Sequence, residues 1–344
     1  MIEETTNMKR FVALVSVIAL VLALAGCVSE EKEEDTLVIY TYDSFVSEWG
    51  IGPKIVPLFE ERYNCKVELK AVGDAGDVLN RAIIEKNNPK ADILVGIDNN
   101  SLSKALKNDI LVPYVPETID VVSEQFILDP THHVIPFDYG YIAFVYDSEV
   151  ITPPKTFDEL LDPKYEKAII LEDPRTSSPG TAFLLWTITI YGENYLDFWE
   201  KLKPNILTIT SGWDQAYGMF TSGEAPIVLS YATSPAYHVE YEDITRYKAS
   251  IPEEGGYLQI EGAGIVKNCP HKELAEKFMN WMLTEEFQRE IPLTQWMFPV
   301  NPNVELPASF DYAVKPDKIL YLDSKEITEN LDRWIKSWAE LMIE

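Results

Sequence analysis

The stretch VIPFDYGYIAFVYD, residues 134–147, decides the fold. It is rich in β-branched and aromatic residues and is longer than an ordinary strand of five or six residues, long enough to leave one sheet and enter another. A return crossing fits Gly255–Glu261, GGYLQIE. On the N-terminal side strands and helices alternate. Leu37–Tyr40 is a predicted strand, and Ile55, Leu58, Phe59 and Tyr63 share one helical face. Cys65–Val72 alternates as a strand, Val78, Leu79, Ala82 and Ile83 mark a helix, and Ala91–Gly96 is the next strand.

The same alternation follows on the other side. Strands are predicted at Lys167–Leu171, Ile206–Ile209 and Ile227–Tyr231, with helices at Pro179–Tyr191 and Trp213–Phe220. Leu274, Phe278 and Trp281 form a further helix face, as do Trp334, Trp338 and Leu341, and these tryptophans are most simply core. The fold class is α/β, because β-α-β alternation implies parallel sheets covered on both faces. A chain of 344 residues is long enough for two such lobes. The expected organisation places residues 37–133 in lobe I, 134–255 in lobe II and 256–305 back in lobe I. Residues 306–344 then form a C-terminal helical segment packing on lobe II. Lobes joined by hinge strands enclose a cleft, and ligands of open parallel sheets sit beyond the carboxyl ends of the strands.

Ahead of this body, Lys9-Arg10 precedes an apolar run over 11–25 broken only by Ser16, and then comes Leu24-Ala25-Gly26-Cys27. A charged start, an apolar stretch and small residues mark a secretory signal. Leu-Ala-Gly-Cys is similar to a lipobox, so residues 1–27 read as a lipoprotein signal peptide, with Cys27 as the lipidated first residue after cleavage. The apolar run falls short of the roughly 20 residues a spanning helix needs, and a plain transmembrane anchor is the alternative. Met1 and Met8 are both candidate starts. Residues 28–36 carry SEEKEED and read as an acidic tether with nothing to bury. Cys65 and Cys269 then remain, too far apart in sequence to imply a disulfide framework, although they could pair in an oxidising compartment.

The balance of 56 acidic against 29 basic residues gives a formal net charge of −27. Such a surface repels nucleic acid and anionic lipid and concentrates small cations, although it also serves solubility alone. The strand exits sharpen the point. They carry Tyr42-Asp43, Gly73–Gly76, Asp98-Asn99-Asn100, Asp173–Gly180, Ser211-Gly212-Trp213, Tyr231–Tyr237 and, near the end, Thr294–Pro299. Arg175 is almost the only cation among them. Aromatic faces attract organic cations, and a buried carboxylate adds complementary charge. Ser177-Ser178-Pro179-Gly180 opens a helix whose free N–H groups suit an oxygen or a phosphate. The ligand so described is a cationic heteroaromatic carrying a hydroxyl or phosphate tail. Each residue also has a plainer role: Tyr42 or Tyr237 as a core-edge aromatic, Trp213 as a hydrophobic staple, Ser234-Pro235 as an N-cap and first-turn pair. No Gly-rich phosphate loop, nucleophile elbow or HExxH motif occurs.

Several segments together resemble the thiamine-binding proteins, the substrate-binding components of thiamine ABC importers. They are YTYDSF (40–45), ADILVGIDNN (91–100), PFDYGYIAFVYD (136–147), DPRTSSPG (173–180), GWDQAYG (212–218), VLSYATSPAYH (228–238) and QWMFPV (295–300). The resemblance implies the type II periplasmic-binding-protein fold, with two α/β lobes closing on the ligand. By matching position it implies a thiamine site of Tyr42, Asp74, Ala75, Ser177, Ser178, Trp213, Tyr231, Ser234, Tyr237 and Trp296. Asp74 would meet the amino or cationic end, and Ser177 and Ser178 could accept a phosphorylated tail. The pairs Asp74-Ala75 and Ser177-Ser178 stand where the family can carry Gly and Thr at the second positions.

The implied activity is extracytoplasmic capture of thiamine, or of its mono- or diphosphate, for delivery to a permease and an ATPase. The implied protein is a lipid-anchored monomer, not an enzyme, and has no cofactor, metal or nucleic-acid partner. Two rivals share the fold. A thiaminase-I-like enzyme needs a cleft cysteine nucleophile, and Cys65 and Cys269 stand at no carboxyl-end strand exit. A ferric-ion-binding protein needs paired tyrosinates, which Tyr231 and Tyr237 suggest only weakly. His132, His133 and His238 lack metal-ligand spacing.

Overall fold

The computed structural model describes residues 35–343; the leader, Cys27 and the tether up to Glu34 lie outside the described residues. The strands are β1 (Thr36–Thr41), β2 (Lys66–Ala71), β3 (Ile93–Asp98), β4 (Leu111–Val112), β5 (Ile135–Asp147), β6 (Ile169–Glu172), β7 (Ile206–Thr210), β8 (Ile227–Tyr231), β9 (Tyr247–Ser250), β10 (Gly256–Val266), β11 (Phe298–Pro299) and β12 (Ile319–Leu320). Their order along the main path is β2-β1-β3-β10-β5-β8-β6-β7. β1 is parallel to both β2 and β3, and β6 is parallel to both β7 and β8.

The crossing strands depart from the all-parallel expectation. β5 pairs antiparallel with β10 over Ile135–Tyr141 and antiparallel with β8 over Ile142–Tyr146. One strand therefore belongs to both lobes and changes neighbours between Tyr141 and Ile142. β10 must run back the other way, so the two crossings are antiparallel to each other; β10 is also antiparallel to β3.

Local chemistry explains the elements that position the cleft. β3 is buried along its whole length, as its unbroken run Ile93-Leu-Val-Gly-Ile-Asp98 requires of a central strand. Gly96, at φ +112, lets the Tyr42 ring lie against this strand, since a Cβ there would sit 3.0 Å from Tyr42 Cδ1. The helix Ala75–Glu85 starts on a capping box in which Asp74 and Asp77 satisfy each other's backbone N–H groups. The helix Ser178–Tyr191 is apolar almost all round and is buried through its first ten or so residues. The strand expected from Lys167 begins only at Ile169, because Lys167 takes a left-handed conformation (φ 51) that no strand continues.

One hydrophobic cluster fills the space around β1, β3 and β10, and a second lies beneath the β6–β8 half. The final helix, Ser324–Ile343, buries Trp334 and Trp338 in the second cluster, with the Trp338 ring 5.6 Å from that of Trp199.

Candidate functional site

A pocket opens between the lobes. Tyr42, Ser44, Trp49, Asp74 and Ala75 line it from one side, and Ser178, Pro179, Trp213, Tyr231 and Ser234 from the other. Glu261 of β10 closes the hinge end, and Thr294–Met297 complete the wall. A second pocket adjoins it, sharing Trp49, Trp213, Ser234 and Trp296 and reaching Tyr217, Tyr237, His238 and Glu242. No Lys or Arg side chain lines either space among the described residues.

Tyr42 leaves the end of β1 and is buried; Gln295 Nε2 donates to its hydroxyl, and its ring shares the pocket wall with Glu261. Tyr231 ends β8, and its hydroxyl accepts from Gln259 Nε2 at 2.9 Å. Burial and the facing carboxylates hold both phenols well above the ordinary tyrosine range. Trp213 is the first residue of the helix Trp213–Thr221. Its indole Nε1 donates to Ser230 Oγ at 2.7 Å, and its ring stacks on Tyr217 with centroids 5.0 Å apart. It is therefore a fixed ring in the cleft wall.

Ser234 precedes the helix Pro235–Glu242 but does not cap it. Its hydroxyl instead bonds Ser230 Oγ at 2.8 Å, joining the chain that holds the Trp213 indole. Trp296 sits in the left-handed region at φ 55, a conformation costing a non-glycine residue about 1–3 kcal/mol. Surrounding contacts hold it there: Thr233 Oγ1 donates to its carbonyl oxygen, Tyr237 meets it edge-on at 5.3 Å, and Phe310 stacks at 6.4 Å.

The remaining expected residues are placed differently. Asp74 uses its carboxylate on the protein itself: Oδ1 accepts from the Ala75 N–H at 2.6 Å and Oδ2 from the Trp213 N–H at 3.1 Å. Burial pushes this carboxyl up to about 6 against the pull of those two hydrogen bonds. Ser177 is fully buried behind the cavity wall, and Tyr237 faces the adjoining cavity. Arg175, the lone cation of the strand exits, is turned outward and paired with Asp173 at 2.5 Å.

Sequence reasoning placed Trp49 and Gln295 in cleft segments without counting them as site residues, and it missed Glu261 with its neighbour Asp138. The available signal was an acid inside each crossing strand, Asp138 in VIPFDYG and Glu261 in GGYLQIE. Cys65 and Cys269 form no disulfide with each other, and neither lines the cleft; burial pushes the Cys269 thiol up to about 11. A half-buried thiol held protonated is a poor nucleophile. Among the described residues no group of three or more His, Cys, Asp or Glu could hold a metal ion.

Two α/β lobes, two antiparallel hinge strands and an interlobe pocket walled by aromatic rings define a two-lobed solute-binding protein. The model of the bacterial extracellular solute-binding protein family matches residues 88–330. The thiamine-binding periplasmic protein of Brucella suis biovar 1 is 42% identical over 318 residues, which cover 92% of this chain and 95% of that one. The thiamine-binding periplasmic protein of Escherichia coli K12 is 39% identical over 315 residues, covering 91% and 95% respectively. A solved periplasmic thiamin binding protein superimposes with a TM-score of 0.85 at 39% identity, covering 91% of this chain and 98% of that one. The chain belongs to the bacterial extracellular solute-binding proteins, in the family of the thiamine-binding periplasmic proteins.

Proposed function

We propose that this protein captures thiamine between its lobes outside the cytoplasmic membrane and delivers it to the permease and ATPase of an ABC importer. It acts as a monomer, does no chemistry on the ligand, and is held at the membrane by lipid on Cys27. The observation that carries the reading is one cavity in which the rings of Tyr42, Trp213, Tyr231 and Trp296 meet carboxylates and no lining cation. Thiamine has a permanently positive thiazolium and an aminopyrimidine ring, so aromatic faces worth about 0.5–2 kcal/mol each and a nearby acid suit it. The names of the relatives support the same ligand. Tyr237 and Trp296 would close the far side of the ligand, and Ser178 at its helix start would face the hydroxyl or phosphate tail.

Mass spectrometry of the small molecule released on unfolding tests the ligand. Calorimetric titration with thiamine, its monophosphate and its diphosphate ranks the three forms. Failure of all three to bind would sink the reading. Metabolic labelling with palmitate tests the anchor separately, and Cys27→Ala should abolish incorporation.

A further inference from the structure

We infer that thiamine enters this site in exchange for a proton, which the ligand's fixed positive charge displaces from a carboxyl pair in the hinge, Glu261 and Asp138. This rests on the proposed ligand and adds to it a counter-charge and a proton stoichiometry. Glu261 and Asp138 are register partners on β10 and β5, the antiparallel crossing strands, and β10 carries an irregularity immediately after Glu261. Directly opposed residues point to the same face, where like charges oppose one another. Asp138 is 0% exposed, and neither of its oxygens has a hydrogen-bond partner; Glu261 is 9% exposed, lines the cavity, and leaves Oε1 without one.

The other ionisable groups around the pair offer no positive charge. Tyr42 and Tyr231 face it from the ends of β1 and β8, Asp98 from the end of β3, and Asp74 from its helix cap. Asp98 and Asp74 are already used by backbone N–H groups, Asp98 by Asn100 and Ser101, and Asp74 by Ala75 and Trp213. Glu172 is also buried and without a hydrogen-bond partner, but it does not line the cavity. Two opposed buried carboxyls lacking a counter-cation retain a proton between them. Burial and neighbouring acids push both upward, Glu261 to about 8.

A thiazolium beside Glu261 supplies the missing positive charge. The carboxylic acid then becomes a carboxylate paired with the ligand, and the proton passes to solvent. Below pH 8 the affinity therefore rises with pH, by up to about tenfold per unit for one proton released, and it levels off above pH 8.

Calorimetric titration of the full chain with thiamine at pH 7, in phosphate and in Tris, measures the exchange because the two buffers take up protons with different heats. The expected result is release of most of one proton by the wild type. Glu261→Gln should release almost none and should bind more weakly, with little dependence on pH. Asp138→Asn leaves a neutral group opposite Glu261, so Glu261 should still release its proton, and only the loss in Glu261→Gln should abolish the exchange. Thiamine binding with equal heat in both buffers would overturn the exchange while leaving the ligand standing. Absence of any thiamine binding would overturn both.

Discussion

Gly76 donates its backbone N–H to the carbonyl oxygen of Thr176 at 3.1 Å, tying the first turn of the helix Ala75–Glu85 to the loop after β6. This bond spans the cleft. Beside it Trp213 donates its N–H to Asp74, and the rings of Trp49 and Trp213 meet edge-on at 6.4 Å. The lobes are therefore closed in this structure, and their contact is made at backbone distance.

Gly76 is what permits that distance, because a Cβ added there would lie 2.4 Å from the Thr176 oxygen. Gly76→Ala should leave lobe I intact, since alanine favours a helix more than glycine does. Closure, however, would have to absorb an overpacking penalty of about 1–3 kcal/mol. Thiamine affinity should fall by roughly tenfold to a hundredfold with the thermal midpoint unchanged or raised. Titration by tryptophan fluorescence and a melting curve on the same sample check this. Unchanged affinity would mean that the lobes do not need to approach this closely.

Asp74 links the same closure to pH. Its carboxyl is pushed from 3.8 up to about 6 by burial. Between those values the unfolded chain has lost the proton while the folded chain keeps it. Stability from this group is thus fully present below about pH 4 and is lost as pH rises through 6, on the order of 2–3 kcal/mol. In Asp74→Asn that loss is absent, so the melting temperature of the variant relative to the wild type should climb between pH 4 and 7. Its thiamine affinity should fall, because the Ala75 and Trp213 N–H groups bind different carboxylate oxygens and one of them would face the amide NH2, donor against donor. A constant difference in melting temperature across this range would contradict the assignment.

The contrast between Asp74 and Glu261 marks what the sequence could convey. Tyr42, Trp213, Tyr231 and Trp296 stand at strand exits or beside a family-like motif, and local pattern alone puts rings at the mouth of a cleft. Asp74 was legible as a site acid, but its partner Trp213 lies far along the chain, so its role as a tie between lobes appears only once the lobes meet. Glu261 was missed because an acid late in an alternating strand ordinarily faces water. Here β10 is buried along its whole length between β3 and β5, so neither of its faces is left for water. The hinge itself was readable from the length of VIPFDYGYIAFVYD, whereas the direction of the returning strand was fixed by topology and not by any residue in it.

The formal net charge of −27 makes a kinetic prediction. A cation approaching an acidic surface is steered toward it, and screening shortens the reach of that field from about 10 Å at 0.1 M salt to about 3 Å at 1 M. The association rate of thiamine should drop several-fold over that range in stopped-flow fluorescence. The dissociation rate should change much less, since the ligand's partners are inside the closed cleft. A salt effect confined to dissociation would place the important charges in the pocket and not on the surface.

Trp213 separates ring from hydrogen bond. In Trp213→Phe the stack on Tyr217 and the edge contact with Trp49 remain available, while the donor to Ser230 is lost. Ser230 keeps its bond to Ser234, so the deletion should cost about 0.5–1.5 kcal/mol, a drop in affinity of roughly threefold to tenfold. Trp213→Ala removes the aromatic face as well, and the added loss of about 0.5–2 kcal/mol for a face meeting a cation carries the drop to tenfold or several hundredfold. Because Trp213 is only partly buried, at the first residue of its helix, circular dichroism should show both variants folded. If Phe and Ala weaken thiamine equally, the indole N–H and its hold on Ser230 govern this wall. If neither weakens it, the ring does not touch the ligand.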